Sequence, residues 1–513
     1  MDSDQSSGKS GLVSRTIGAI KWGYFGISLR IVLQMASQIA LTRLLGPEAF
    51  GVVAAAVLVV LIAGIFAEMG LSIAIVQAER FESQDIRCAF SRAIMSTLVV
   101  IAVILASADL IAVVFENPRV APVLRWMTLA LVFQVLGAVS LGLLKRRFDM
   151  KSVQIAHLTS YLIGYFLVGI TCAWLGAGEW SLVAAWVSQT FVASVIQFAR
   201  APHDVRPTLR SGNAPLTGFG LRVTVANLAN WSIENIDSAM VGRAFGTTTL
   251  GAYSIAYNLV RTPVNHIVFS LQQVLQPFIA RSRDDSQMMR KAYLSLVWMV
   301  ALVTMPMFFG LGVLAPTVIE ALYGVAWLEA APILVPLAFA MPMQALQAVG
   351  GPVLWGSGNI VREIRVSFAM VAIMVVILGF ASGFTAVVMA WGVFVAYLIR
   401  SLWVTACAAR IVGSSVQEVL SMLVGGLIVG SLVAAVLYAA NVWLVRIGVP
   451  PIARLATAII VGALLLPTVI VVLSRAVIPS ELSDILRNLV RRLPVRIQPW
   501  CESRILKEAS SRP

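Results

Sequence analysis

Runs of about 20 apolar residues, each long enough to cross a bilayer as a helix, recur along almost the whole chain. They fall near 18–41, 51–76, 89–114, 121–143, 153–175, 180–199, 218–242, 250–279, 292–322, 330–356, 363–381, 385–409, 417–444 and 452–474, about fourteen in all. The fold class this implies is an all-α polytopic membrane protein. Hydrocarbon offers no partner for backbone N–H and C=O groups, so each span must satisfy its own as a helix. Prolines inside the spans (Pro263, Pro277, Pro306, Pro336, Pro342 and Pro352) predict kinks. The composition agrees: 59% of the 513 residues are hydrophobic and 12% charged, against about 25% charged in a soluble domain. Soluble enzymes, disordered chains and disulfide scaffolds are excluded.

Topology follows from the charges. The 38 Lys and Arg against 24 Asp and Glu leave +14. With the N-terminus in the cytoplasm, about 29 of the 38 fall on inner loops and tails and about six on outer loops. The inner set includes Lys145, Arg146, Arg147, Arg206, Arg210, Arg281, Arg283, Arg290, Lys291, Arg362 and Arg365; the outer set includes Arg43, Arg119, Arg243 and Arg446. This regular alternation predicts both termini in the cytoplasm and explains the basic charge without nucleic acid.

Other chemistry is missing from the sequence. The four cysteines (Cys88, Cys172, Cys407, Cys501) are far apart and the three histidines form no HxxxH, so no metal site or cofactor is expected. There is no phosphate-binding G-x-x-x-x-G-K-[ST] loop. A membrane-bound polymerase or glycosyltransferase usually needs a large outer loop carrying catalytic residues; here the outer loops are a few residues long, so an enzyme is not expected.

The two halves show a weak echo at an offset of 200 residues. Arg43, Gly46 and Gly51 after the first span match Arg243, Gly246 and Gly251 after the seventh, and Phe50 matches Leu250. The implied organisation is an N-terminal lobe (1–200, helices 1–6), a cytoplasmic linker (201–216), a C-terminal lobe (217–410, helices 7–12), two appended helices (411–475) and a basic amphipathic tail (476–513).

Polar side chains inside the spans point to function, because they are costly in lipid and mark cavities or pathways. Arg30, Gln34 and Gln38 recur every four residues on one helical stripe. Asn227, Asn230, Glu234 and Asp237 form a second stripe, and Asn258, Arg261, Asn265, Gln272 and Gln276 a third. Interhelical hydrogen bonds, or a Glu234–Arg261 bridge, would account for them structurally. The functional reading gives Arg30, Arg261 and Arg400 to an anionic cargo, since guanidinium binds phosphate oxygens bidentately. Gln34, Gln38, Asn227, Asn230, Asn258 and Asn265 would serve its hydroxyls. Glu68, Glu234 and Asp237 are the candidates for a proton or sodium site.

The order of several motifs resembles a known family. Leu41-Thr-Arg-Leu-Leu-Gly-Pro-Glu-Ala-Phe-Gly51, Glu68-Met-Gly-Leu71, Arg80, Arg146-Arg147-Phe148 and Leu175-Gly-Ala-Gly-Glu-Trp180 carry the first part of the likeness. Asn235-Ile-Asp237, Gly246 and Leu250-Gly-Ala-Tyr253-Ser-Ile-Ala-Tyr257 carry the second, with Pro263 and Pro277 beyond. Together, over roughly residues 15–410, they resemble the Wzx-like oligosaccharide flippases of the multidrug/oligosaccharidyl-lipid/polysaccharide exporter superfamily. Glu68 departs from the Asp expected in many relatives but keeps the carboxylate.

The resemblance implies two six-helix lobes in a V around a central cavity, plus the two C-terminal helices. It implies an undecaprenyl-pyrophosphate-linked oligosaccharide as cargo, membrane lipids and a polysaccharide polymerase or export complex as partners, and the bacterial inner membrane as location. A drug or metabolite antiporter and a flippase for the peptidoglycan lipid precursor are the alternatives within the superfamily.

Overall fold

A computed structural model describes residues 22, 26, 28–77, 83–206, 208, 214–281, 286–356 and 360–473. The basic tail expected over 476–513 lies outside the described residues. Those described are almost wholly helical, and ten helices are long and apolar enough to cross a membrane. The described part of each expected span falls mainly on helix, with breaks inside two of them.

The chain forms two compact units, Met1–Gly251 and Ala252–Pro513. The first contains α1 (28–44), α2 (Pro47–Glu68), α3 (Leu71–Gln77), α4 (Ser83–Val114), α5 (Val120–Arg146), α6 (Met150–Trp174), α7 (Trp180–Arg200) and α8 (214–245). Helix α9 (247–281) begins in the first unit and continues into the second. The second unit then runs through α10 (Ser286–Val313), α11 (Ala315–Tyr323), α12 (Ala330–Gly356), α13 (Ile360–Ala381), α14 (Ala386–Val412), α15 (Val416–Arg446) and α16 (Pro451–Val472).

In the first unit α5 is central and packs against α2, α3, α4 and α7. Its face of Val123, Leu124, Met127 and Leu131 is fully buried. In the second unit α10 packs on α12 and α15, and α12 on α14. Helix α16 is peripheral, resting on α15 and α11. Arg454, its side chain only 12% exposed, holds it there by donating to Glu320 of α11 at 3.1 Å. Thr317 of α11 donates in turn to Asn441 of α15 at 2.9 Å.

Two helix breaks correct the reading of continuous spans, and a third falls between two expected spans. The expected 51–76 span is divided at Met69 and Gly70, both with positive φ (50° and 66°). The expected 292–322 span is divided at Leu314, which leaves helical geometry, and Pro316 in the first turn restarts the helix as α11. Gly246 separates α8 from α9 with φ 79° and ψ 173°, a region essentially reserved for glycine. Its sequence counterpart Gly46 has φ −78° and ψ 171°, which any residue adopts. The offset match is therefore not a match of backbone conformation at this position.

It is a match of packing at the next. A Cβ added to Gly51 would overlap the Thr247 carbonyl oxygen, and one added to Gly251 would overlap the Pro47 carbonyl oxygen. Residue 51 thus meets residue 247 while residue 251 meets residue 47, a reciprocal contact of the kind a two-fold axis generates. The starts of α2 and α9 cross here at backbone distance, which only glycine permits. Around the crossing, Asn117 donates to Thr247 at 2.8 Å, Arg243 pairs with Glu116 at 2.7 Å and Arg119 with Glu48 at 3.0 Å. Two of the arginines expected on outer loops are thus charge-paired.

Candidate polar sites within the two units

Unit 1 carries Arg30, Gln34, Gln38, Glu68, Asn227, Asn230, Glu234 and Asp237; unit 2 carries Asn258, Arg261, Asn265 and Arg400. Within unit 1, α1 faces α6 along a polar seam. A Cβ on Gly26 would press on Gln154, and Ser37 and Tyr161 share a hydroxyl–hydroxyl bond of 2.5 Å. His157 lies within electrostatic reach of Arg30. Tyr161 stacks on Tyr165 at 4.7 Å.

Gln154, His157, Tyr161 and Tyr165 follow one helical stripe of α6, opposite the stripe of α1. The last of them falls in a π-helical segment, Leu162–Gly169, a feature frequent at functional sites. Arg30 is half-buried, and its Nε has no hydrogen-bond partner among the described residues. Nor does the buried Nε2 of Gln38. A cation placed so within a membrane helix calls for an anionic partner.

The stripe on α8 divides between two environments. Asn230 and Glu234 are exposed and Asn227 half-buried, whereas Asp237 is fully buried. One Asp237 carboxylate oxygen accepts the Ser238 N–H at 2.7 Å. Glu68 sits at the break between α2 and α3, where its carboxylate accepts the Ser72 N–H at 3.3 Å. Arg92 lines the same small cavity. Glu68 thus has a local structural task, completing the first turn of α3.

In unit 2 Arg261 and Arg400 each stand about one turn from one member of a bonded tyrosine pair. Tyr257 and Tyr397 are joined hydroxyl to hydroxyl at 3.1 Å. Arg261 follows Tyr257 by one turn on α9 and lies over its ring, 5.5 Å from the centroid. Arg400 follows Tyr397 by one turn on α14, and the Tyr397 carbonyl accepts from Gln347 of α12 at 3.4 Å. Asn258 and Asn265 are exposed on the same helix as Arg261. The side chains of Gln272 and Gln276 lie outside the described residues.

Each of the three arginines lies well inside its own helix. Arg30 stands fourteen residues before Leu44, Arg261 fourteen after Thr247 and Arg400 fourteen after Ala386. At 1.5 Å per residue each lies about 21 Å from that helix end.

The α6 stripe and the tyrosine pair escape a reading of the sequence alone. The signal is present as helical spacing, but tyrosine reads as apolar in a hydropathy window. Gln344 and Gln347 of α12 are equally legible as the polar interruptions of an apolar run.

The chain is 23% identical over 349 residues to the lipopolysaccharide biosynthesis protein WzxC of Escherichia coli K12, covering 67% of this chain and 69% of the relative. It is 26% identical over 354 residues to the succinoglycan biosynthesis transport protein ExoT of Rhizobium meliloti, covering 68% and 70%. The fold matches the lipid II flippase MurJ in an inward closed conformation, with a TM-score of 0.69 at 13% identity, over 90% of this chain and all of the other. The family model for polysaccharide biosynthesis proteins matches residues 40–332, more than half of the chain. This multi-spanning membrane protein therefore belongs to the polysaccharide biosynthesis protein family, within the Wzx-like group its motifs resemble.

Proposed function

We propose that the chain is a flippase that carries a lipid-linked oligosaccharide repeat unit, on undecaprenyl pyrophosphate, across the bacterial inner membrane by alternating access. The product would feed exopolysaccharide, capsule or O-antigen synthesis. The observation that carries this reading lies in unit 2, where Arg261 and Arg400 each stand about one turn beyond one member of the bonded Tyr257–Tyr397 pair; Arg30 is half-buried on the polar seam of unit 1. Lipid does not tolerate such groups, and a pyrophosphate is the anionic group they suit. The exposed amides Asn230, Asn258 and Asn265, with Gln34, Gln38 and Asn227, would bind sugar hydroxyls. The polyprenyl chain would stay in lipid. A drug or cation antiporter would need an acidic cavity, against which three arginines argue.

The orientation with both termini in the cytoplasm, the lobes over 1–200 and 217–410 and an association with a polymerase or export complex belong to the same proposal. Energy would come from an ion gradient, with buried Asp237 the leading carboxylate and Glu234 the second. Glu68 ranks third because the start of α3 already occupies it.

The test replaces Arg30, Arg261 and Arg400 with Ala and with Lys. Export should fall sharply in the Ala variants and recover partly with Lys, which keeps charge but not the bidentate fork. Full export by all three Ala variants at normal membrane abundance would refute the assignment. For coupling, flipping in proteoliposomes should follow a proton or sodium gradient and lose that response in Asp237→Asn or Glu234→Gln.

A further inference from the structure

The end of unit 1 opposite the glycine crossing holds a cleft of about 490 Å³. Ile86, Leu143 and Pro202 form its apolar wall, and Arg146, Arg147, His203 and Asp204 its polar one. It lies between the α5–α6 turn and residues 201–206, the described start of the stretch 201–216 expected as a cytoplasmic linker. These first residues are strapped to the helices. Ser140 Oγ donates to the Ala201 carbonyl at 2.9 Å. Arg87 Nε reaches Asp204 at 3.3 Å and the Arg206 carbonyl at 3.4 Å. The Thr208 N–H donates to Ser91 Oγ at 2.8 Å. A wall fixed at these points is formed before any ligand arrives, which lowers the entropic cost of binding.

The charge in the cleft is one-sided. Its one carboxylate, Asp204, already faces Arg87. Arg146 gives one nitrogen to the Ile75 carbonyl at 2.9 Å, which fixes the guanidinium in place, and the Arg147 side chain is exposed beside it. The tendency of basic residues to stay on the cytoplasmic side explains why arginines occur here. It does not explain a preformed cleft that sets two consecutive guanidinium groups against an apolar wall.

We propose that this cleft binds a phosphate-bearing group, and that its source is the headgroup of an anionic lipid in the adjoining leaflet. Guanidinium groups match the phosphate oxygens, while Ile86, Leu143 and Pro202 suit the glycerol and first methylenes of a lipid better than a free ion. The site is separate from the polar stripes of the spans and does not depend on the identity of the cargo.

The test uses the full chain purified in neutral detergent, with phosphatidylglycerol or phosphatidylcholine added and retained lipid counted by native mass spectrometry. Phosphatidylglycerol should be retained selectively. Arg147→Gln should weaken retention about tenfold, the loss of one charge-assisted interaction, and Arg147→Lys should weaken it less. Arg446→Gln, at the exposed last residue of α15 and outside the cleft lining, should change nothing. Competition by inorganic phosphate would confirm that the phosphate is what is read. Phosphate binding that Arg147→Gln weakens, with no preference between the two lipids, would keep the site but overturn the lipid as its source. Equal retention of both lipids, unchanged in Arg147→Gln and without phosphate binding, would overturn the proposal.

Discussion

Replacing Gly51 with Ala opposes two effects whose sizes can be compared. Gly51 lies in the second turn of α2, and inside a helix Ala is favoured over Gly by about 1 kcal/mol. The added methyl would also overlap the Thr247 carbonyl oxygen and lie 3.2 Å from the Gly251 nitrogen. Both obstacles are backbone, so no rotamer change relieves them and the two helices must part. Overpacking of this kind costs about 3 kcal/mol at the upper end of the usual range. The net loss is about 2 kcal/mol, or roughly 4–8 °C in melting temperature for a unit of this size. Gly251→Ala should behave alike, because its Cβ meets the Pro47 carbonyl in the reciprocal contact. The double variant should cost less than the two losses combined, since one separation accommodates both methyls. Gly379→Ala in α13 is the control: nothing lies within 4 Å of its added Cβ, so propensity alone acts and stability should rise slightly. The assay is thermal unfolding of the purified protein followed by size-exclusion chromatography. If Gly51→Ala matches Gly379→Ala in sign, the close crossing of α2 and α9 is wrong.

Gly246→Ala should destabilise by about 1–3 kcal/mol because its backbone angles suit only glycine, whereas Gly46→Ala should cost under about 1 kcal/mol; the same thermal assay separates them. Arg454→Ala should cost about 2–3 kcal/mol by leaving Glu320 without its partner and loosening α16, and Arg454→Ala combined with Glu320→Gln should recover part of the loss. His203 lies edge-on to Phe90 and Phe198, with ring centroids 5.1 and 5.4 Å away. Burial holds its pKa below the ordinary value despite Asp204 beside it. Its unfolded form therefore takes up a proton first, so stability should be undiminished above about pH 6.5 and fall as the pH drops below that. His203→Phe should flatten this slope in acid-unfolding curves.

Apolar length located the helices in the sequence because a bilayer permits little else. The breaks at Met69 and Leu314 stayed hidden because both lie within apolar runs, where hydropathy does not distinguish a turn from a continuing helix. The offset of 200 residues was legible as Arg, Gly and Gly in register. In the fold Gly51 and Gly251 meet reciprocally, while Gly46 and Gly246 differ in backbone conformation, which sequence identity does not reveal. The stripes on α1 and α9 stood out through their Arg, Gln and Asn. The answering stripe on α6 did not, since two of its four members are tyrosines. The cleft at Arg146 and Arg147 was beyond reach, because its walls come from segments more than fifty residues apart.

The most direct test of the central claim is flipping in proteoliposomes containing the purified chain and an undecaprenyl-pyrophosphate-linked oligosaccharide labelled on the sugar. Accessibility of the sugar to an impermeant reagent or glycosidase reports translocation. The account predicts protein-dependent movement of the sugar across the bilayer that Arg261→Ala abolishes. No movement above protein-free vesicles, or movement indifferent to Arg30, Arg261 and Arg400 together, would contradict it.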